Sequence, residues 1–187
     1  PEEGDNYLSG HLLLAMPGIR DPRFEKSVIY MCAHSSDGAM GLVVNKPLDT
    51  LNFPDLLEQL GIESESDSPI NVHFGGPVEN QRGFVLHSGE YRHSETLMVT
   101  DQVGLTATLD ILRALAQGEG PERSILALGY AGWGAGQLDA EIHDNAWLSV
   151  PYDENLMFEV SDDDKWERAF NSIGVDLSVL SGTSGRA

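Results

Sequence analysis

The apolar residues fall into short runs separated by glycine, proline and acidic residues, and this pattern predicts a strand-rich fold. Residues 8–16 and 27–34 are apolar at almost every position, as is typical of strands buried on both faces. Asp37-Gly38 separates the second run from another over residues 40–45. Asp-Gly between two apolar runs favours a hairpin whose two turn positions take positive φ. Shorter strands are predicted at 72–74, 83–87, 97–100 and 124–130.

Helical spacing predicts four helices. The clearest covers residues 102–117 behind an Asp101 N-cap, because its apolar residues recur at i, i+4, i+7 and i+11 and form one buried stripe. Those residues are Leu105, Leu109, Leu112 and Ala116. The last helix follows Ser161, places acidic residues at its positive end, and carries a buried stripe of Trp166, Phe170 and Ile173. Shorter helices are predicted at 53–60, capped by Asn52, and at 137–143.

The order of these elements predicts the fold class. Strands outnumber helices and mostly follow one another directly, which indicates an α+β fold with a mixed, curved sheet. A chain of 187 residues is just above the usual size of one domain, so residues 1–187 are expected to form a single domain. Residues 63–69 are expected to form an acidic, serine-rich loop, and the ends at 1–6 and 181–187 are expected to be flexible.

The charge narrows the classes of partner. Eleven Lys and Arg residues against thirty Asp and Glu residues give a formal net charge of −19. Such a surface repels DNA, RNA and anionic membranes. We therefore expect a protein or an uncharged small molecule as the partner, with no direct nucleic-acid contact and no membrane. Cys32 is the single cysteine and residues 1–6 are too polar for a signal peptide, so a cytoplasmic location is expected.

Two glycine-rich stretches are the candidate binding turns. Residues 129–136 lie between a predicted strand and a predicted helix, where bare backbone amides can hold a phosphate. A dinucleotide fingerprint needs glycine where Gln137 stands, however, and a P-loop needs lysine where Ala135 stands, so no cofactor is expected. A tight turn that packs Trp133 on the core and a pocket for an uncharged molecule or a peptide both remain open. The candidate ligand- or partner-binding residues are Gly75, Gly76, Pro77, Gly132, Trp133, Gly136 and Gln137.

Catalytic signals are weak in this sequence. His73, His87 and His93 lack the close spacing of metal-ligand pairs, so no metal site is expected. No Gly-x-Ser-x-Gly elbow is present. Catalytic partners can nevertheless lie far apart in a chain, so a small hydrolase-like enzyme with a pocket near the glycine-rich turns is the alternative to a non-catalytic binding module. Its candidate residues are His34, Asn45, His87 and Glu141.

Several stretches together, in order and spacing, resemble the YqgE/AlgH family of bacterial proteins from residue 7 to about residue 174. They include Leu8 to Pro17, Asp21 to Tyr30, His34-x-x-x-Gly38-Ala39-Met40-Gly41-Leu42-Val43-Val44-Asn45, Gly75-Gly76-Pro77-Val78, Phe84 to His87, and Gly129 to Ile142. The resemblance implies a domain core over about 7–174, with a sheet that bends into an incomplete barrel. One branch of the family is named for a proposed role in regulating alginate synthesis, sometimes described as transcriptional. The resemblance therefore implies a regulatory role, but it supplies no catalytic residue to carry over.

Overall fold

Within residues 8–19, 21–63 and 70–174, which are the residues that this computed structural model describes, the chain forms nine β-strands. The strands are β1 Leu12–Ala15, β2 Val28–Ser35, β3 Gly38–Val43, β4 Val72–Phe74, β5 Val78–Ser88, β6 Leu97–Met98, β7 Val103–Thr106, β8 Ser124–Trp133 and β9 Trp147–Val150. The predicted acidic loop, apart from residue 63, and the predicted flexible ends lie outside the described residues.

Four α-helices and one π-helical turn flank the strands in the same described ranges. They are α1 Phe53–Gln59, α2 Leu109–Ala116, α3 Gln137–His143, the π-helical turn Asn155–Glu159, and α4 Asp162–Ser172. The Asn52 cap of α1 is confirmed, because its side chain accepts a hydrogen bond from the Asp55 amide at 2.8 Å.

The strands build one curled sheet in the order β6-β7-β5-β8-β3-β2-β1-β9, with β4 beside β8. Neighbours are antiparallel except β4 and β8, which run parallel, so the sheet is mixed as predicted. The long strand β8 joins two halves of the sheet. Its first part lies between β5 and β4, and its last three residues pair with β3. The sheet curls into a half-barrel flanked by helices, which confirms the α+β fold and the incomplete barrel.

The two faces of the sheet bury different cores. On one face, alternate residues of the strands that lie across the sheet from β7 to β9 form a single apolar cluster, as on the concave side of a curled sheet. Helix α4 covers this cluster with Trp166 and Phe170. The opposite face is divided into two clusters, one under α1 and α2 and the other beside α3. Leu12 and Leu14 face the first core while Leu13 faces another, so this apolar run has both faces buried.

The largest error of the sequence prediction is the helix at 102–117. Residues 103–106 form β7, which pairs with β5, and the helix begins only at Leu109, whose side chain is 45% exposed. The apolar spacing of this segment fits both a strand followed by a short helix and one long helix. Pairing with β5 decides between them, because Gly104 allows that close approach: a Cβ there would lie 2.7 Å from the His87 ring.

Three smaller predictions also change. The hairpin between β2 and β3 is confirmed, but its turn residues are Ser36 and Asp37, while Gly38 already pairs with Ser35. The strand that ends at 130 in the prediction continues to Trp133, so most of the second glycine-rich stretch is strand and not turn. Ile173 was expected on the buried stripe of the last helix and is 40% exposed.

Candidate binding groove

Gly75 and Gly76 lie at the seam where β8 leaves β4 and β5 and joins β3. The Gly75 amide donates to the Leu128 carbonyl at 2.8 Å, and its carbonyl accepts from the Val43 amide at 2.9 Å. A Cβ on Gly75 would lie 2.3 Å from the Gly129 carbonyl oxygen, and one on Gly76 would lie 2.0 Å from the Tyr130 carbonyl carbon. Both glycines are buried, so their role in the fold is to let two backbones touch.

An open groove of about 690 Å³ lies beside this seam, between the end of the β2–β3 hairpin and the first residues of β5. Its apolar wall consists of Met40, Val78, Phe84 and Tyr130, and its rim carries Asp37, Glu79 and Arg82. The Phe84 and Tyr130 rings pack edge to face with centroids 5.8 Å apart. Met40, Phe84 and Tyr130 also belong to or pack against the core of the concave face, so the groove is the mouth of the half-barrel.

A bulge in β5 shapes one rim of this groove. Val78 pairs with Tyr130 and Gly83 pairs with Leu128, so four residues of β5, 79–82, oppose one residue of β8. All four are exposed, and Glu79 has a φ of 47°, an unusual conformation for a residue with a side chain. Glu79 accepts a hydrogen bond from the Tyr130 hydroxyl at 3.4 Å. The Arg82 guanidinium lies 3.6 Å from the Glu79 carboxylate and 5.1 Å from the Phe84 ring centroid.

The predicted binding residues divide between this groove and its surroundings. Gly132 and Trp133 line the groove, whereas Gly75 and Gly76 are buried at the seam and Pro77 is half-buried after them. Gly136, with a φ of 73°, is the N-cap residue of α3, and Gln137 is the first residue of that helix. The groove residues that sequence reasoning missed include Met40, Val78, Glu79, Arg82, Phe84 and Tyr130, because a bulge and a sheet seam leave no local sequence signal.

A network around Glu141 holds Trp133 and Gln137 in place. One carboxylate oxygen accepts from the Trp133 indole at 2.9 Å and from the Trp147 indole at 3.0 Å. The other accepts from the Gln137 amide at 2.9 Å, and the Gln137 side-chain oxygen accepts from the Gly134 amide at 2.9 Å. Both oxygens of Glu141 are therefore used in fixing α3 against the ends of β8 and β9, so this carboxylate is a structural group.

His34 has both ring nitrogens occupied. Nδ1 accepts from the Leu8 amide at 3.2 Å, which places the proton of the neutral ring on Nε2, 3.2 Å from the Asp139 carboxylate. Burial lowers the pKa of His34, and the nearby Asp139 only partly opposes it. The arrangement resembles an Asp–His pair, but the nitrogen that would take a proton from a nucleophile is bound to the backbone.

His87 and Asn45 are also committed to structural hydrogen bonds. His87 is fully buried, with Nδ1 3.0 Å from the Ser88 carbonyl and Nε2 2.8 Å from the Thr106 hydroxyl, and burial lowers its pKa. Asn45 accepts from the Val28 amide at 2.9 Å and donates to the Lys26 carbonyl at 2.8 Å. Among the described residues no hydrogen bond joins any two of His34, Asn45, His87 and Glu141. The hydrolase alternative is therefore not favoured.

A buried charge cluster links α4 to the sheet. His73 Nε2 lies 2.8 Å from Asp162, and Lys165 Nζ lies 3.1 Å from the other oxygen of that carboxylate and 3.1 Å from the Val44 carbonyl. Burial raises the pKa of Asp162, but the hydrogen bond from His73 and the charge of Lys165 outweigh it, and the pKa is lowered. Asp162 and Lys165 are three residues apart, whereas His73 is distant in sequence, so only the fold brings the three together.

Cys32 offers no nucleophile. It is buried in the core of the concave face, and desolvation raises the pKa of its thiol to about 12.

In the described part of the chain, groups of three or more His, Cys, Asp or Glu side chains placed to hold a metal ion are absent. Every helix in the described ranges is also too short or too polar to cross a bilayer.

Comparison with known proteins identifies the family. The model of the AlgH-like family (DUF179) matches residues 12–178. The chain belongs to this family. A UPF0301 protein of Rhodospirillum rubrum is 53% identical over 187 residues, covering 100% of this chain and 97% of the relative. A UPF0301 protein of Mesorhizobium japonicum is 50% identical, covering 98% and 95%. The resemblance to the YqgE/AlgH family is thus confirmed.

Two solved structures share the fold of this AlgH-like chain. The solution structure of the AlgH protein from Pseudomonas aeruginosa superposes with a TM-score of 0.76 at 41% identity, covering 93% of each chain. The crystal structure of protein DIP2367 from Corynebacterium diphtheriae gives a TM-score of 0.74 at 20% identity, covering 93% of this chain and 91% of the other. The second likeness concerns the fold alone. The names of these relatives state no activity, so function rests on the groove and its surroundings.

Proposed function

We propose that this member of the AlgH-like family is a non-catalytic binding module, and that the groove at the mouth of the half-barrel is its binding site. The observation that carries the proposal is the apolar wall formed by the exposed Val78 and the half-buried Met40 and Tyr130 above the buried Phe84. Apolar clefts with a few polar groups at the rim are the usual form of binding sites. The occupant is a protein segment or an uncharged small molecule, since a volume of about 690 Å³ suits either.

The polar groups support binding over catalysis. Both oxygens of Glu141, both nitrogens of His34 and both nitrogens of His87 already have partners inside the protein. A general base or a nucleophile must be able to reach a substrate atom. The Cys32 thiol is buried and does not line the groove. None of these four side chains lines the groove, which offers a partner mainly its apolar surface.

A regulatory role in the cytoplasm is part of the proposal. The net charge of −19 supports regulation through a protein or small-molecule partner and argues against direct DNA contact. The single buried Cys32 supports a reducing compartment.

The test compares two matched variants in the full chain. Val78→Gln makes the groove wall polar at a position that is 37% exposed, and Leu97→Gln makes the same kind of change on β6, outside the groove, at a position that is 53% exposed. The wild type and both variants are screened by thermal shift against a metabolite library and by quantitative pull-down. We expect ligand shifts or partner recovery to fall for Val78→Gln and to persist for Leu97→Gln. Equal binding by both variants would place the site elsewhere.

A further inference from the structure

The geometry points to a specific kind of occupant: we propose that an extended, basic segment of another protein binds in the groove by adding a strand to the edge of β8. This inference rests on the proposed binding function of the groove and names the chemistry of the partner. Three features of the groove support it: an unpaired strand edge, adaptable apolar walls, and an acidic rim.

The strand edge lies at residues 131–133 of β8. On one side these residues pair with β3, and on the other side the pairing with β5 ends where Val78 meets Tyr130. No strand in the described parts of the chain pairs with residues 131–133 on the β5 side. In an antiparallel ladder, alternate residues direct their backbone groups away from the partner, so at least one of these three residues presents an N–H and a C=O to the open side.

This edge opens into the groove. Val78, Glu79 and Gly132 line the same groove, and Gly132 is exposed with no side chain over its backbone. β5 begins at Val78, so its ladder with β8 ends at Tyr130 and no residue of β5 lies beside residues 131–133. An extended segment that enters there continues the sheet in place of β5, and its main-chain hydrogen bonds supply affinity independent of its exact sequence.

The walls suit the side chains of such a segment. A strand directs every second side chain to the same face, and the wall formed by Met40, Tyr130 and Val78 lies beside the edge. Methionine adapts its unbranched side chain to different apolar partners. The groove therefore favours apolar residues at alternate positions of the bound segment.

The negative charge of the groove rim and of the whole chain favours basic residues at the remaining positions of the bound segment. Asp37 and Glu79 lie on the rim, and Arg82, the one cationic residue among the described residues that line the groove, has Glu79 as its ion partner. The whole chain carries a net charge of −19. A segment with Lys or Arg is attracted by this field, whereas an acidic segment is repelled. A second copy of this chain brings another −19, so pairing between copies is disfavoured.

The test uses three synthetic seven-residue peptides with acetylated N-termini and amidated C-termini: alternating Lys and Val, alternating Glu and Val, and alternating Lys and Ser. Binding to the full chain is followed by the amide NMR signals of residues 131–133 and by titration at two salt concentrations. We expect the Lys/Val peptide alone to bind, to shift those amides, and to weaken as salt rises. A Lys/Val peptide with every backbone amide N-methylated keeps its charge and side chains but has no N–H on either edge, so we expect it to bind at least about fivefold more weakly, as for the loss of one or more hydrogen bonds at about 1 kcal/mol each.

Matched variants separate the three features. A Cβ at Gly132 lies 3.4 Å from the Tyr130 ring and 3.9 Å from Val78, so Gly132→Val places its side chain in the groove. We expect it to abolish binding while the variant keeps the wild-type circular dichroism spectrum. Gly134→Val lies just outside the groove, where a Cβ has only the Gln137 side chain at 3.8 Å, and it leaves binding unchanged. Glu79→Gln weakens binding about two- to fivefold, the range of an exposed ion pair, while Asp110→Asn on α2 has no effect.

The outcomes distinguish this inference from the proposed function. If the Glu/Val peptide binds as tightly as the Lys/Val peptide, the partner is not selected for basic residues. If the N-methylated peptide binds as tightly as the Lys/Val peptide, the segment does not add a strand to β8. No binding of the Lys/Val peptide also refutes the inference. The proposed binding function of the groove is then retained if Val78→Gln still alters the thermal-shift or pull-down results. If an uncharged metabolite alone binds in the groove, the occupant is a small molecule and not a protein segment. If neither the peptides nor the Val78→Gln comparison reveals binding, both proposals fail.

Discussion

Replacing Gly76 by alanine is the sharpest test of the seam between β8 and the 75–77 turn. Gly76 has a φ of 154°, and a Cβ built there lies 2.0, 2.2 and 2.3 Å from the carbonyl carbon and oxygen of Tyr130 and the amide nitrogen of Ala131. All three contacts are with backbone, so no side chain can rotate away. The strand or the turn must move, and both hold hydrogen bonds of the sheet.

The expected loss of stability follows from two costs and one gain. Overpacking a close contact costs about 1–3 kcal/mol. A side chain in a sparsely populated backbone region costs about 1–3 kcal/mol more. Alanine restricts the unfolded chain and recovers about 0.4–1 kcal/mol. The free energy of unfolding should therefore fall by about 1–6 kcal/mol. At ~2–4 °C per kcal/mol for a chain of this size, the melting temperature should decrease by about 2–24 °C.

Urea unfolding followed by tryptophan fluorescence measures this change, and Gly132→Ala is the matched control. A Cβ at Gly132 meets only the Tyr130 ring, at 3.4 Å, and the Val78 side chain, at 3.9 Å, so the control should match the wild type or gain up to about 1 kcal/mol. If Gly76→Ala unfolds at the same urea concentration as Gly132→Ala, the backbone contact is not as close as described. The 75–77 turn would then be free to act as a contact surface, as the sequence suggested.

Three further predictions concern buried titratable groups. The Cys32 thiol, with its pKa raised to about 12, should resist Ellman's reagent at pH 8 in the native protein and react fully in guanidinium, and stoichiometric native labelling within minutes would contradict its burial. Burial lowers the pKa of His34 and of His87, so below about pH 6.5 the unfolded state binds more protons than the folded state. The free energy of unfolding should therefore decrease as the pH drops from about 6.5 through the folded pKa values. The decrease is at most about 1.4 kcal/mol per pH unit for each histidine. His87→Asn should flatten this slope in unfolding curves measured from pH 7 to 5, and an unchanged slope would show that His87 does not titrate on unfolding. Asp162→Asn leaves the buried Lys165 without its carboxylate and should cost about 3–5 kcal/mol at pH 7. Because the pKa of Asp162 is lowered, its contribution to stability is present above pH 3.8 and is lost as pH falls through the folded pKa. The free energies of unfolding of wild type and variant should therefore converge in acid. A constant difference between them down to about pH 2 would refute the role of that charge.

The candidate site was only partly predictable from its residues. Glycine density drew attention to residues 129–136, and two of them, Gly132 and Trp133, line the groove. Met40, Phe84 and Tyr130 look like ordinary core residues in sequence. An alternating apolar pattern does not show where the packed core of a curled sheet ends and an open groove begins. The bulge at 79–82 carries no turn signal, because its geometry depends on how β5 registers with β8.

The polar candidates show the same division. His34, Asn45, His87 and Glu141 are residue types that perform catalysis, and sequence spacing cannot distinguish a catalytic side chain from one that holds the backbone together. Asn45 illustrates the difference, because its amide group clamps the Val28 and Lys26 backbone from 17 and 19 residues away. Only the tertiary partners assign these residues to structure.

By itself the sequence determined the α+β class, the family, the hairpin between β2 and β3 and the Asn52 cap of α1, because each depends on local periodicity, turn chemistry or motif order. The tertiary structure alone decided that residues 103–106 are a strand, that β8 continues to Trp133, and that β9 forms the edge of the sheet beside β1. These elements depend on backbone hydrogen bonds between residues far apart in the chain. Such bonds are available to almost any side chain, so short segments with weak intrinsic preference take their structure from the neighbours they meet.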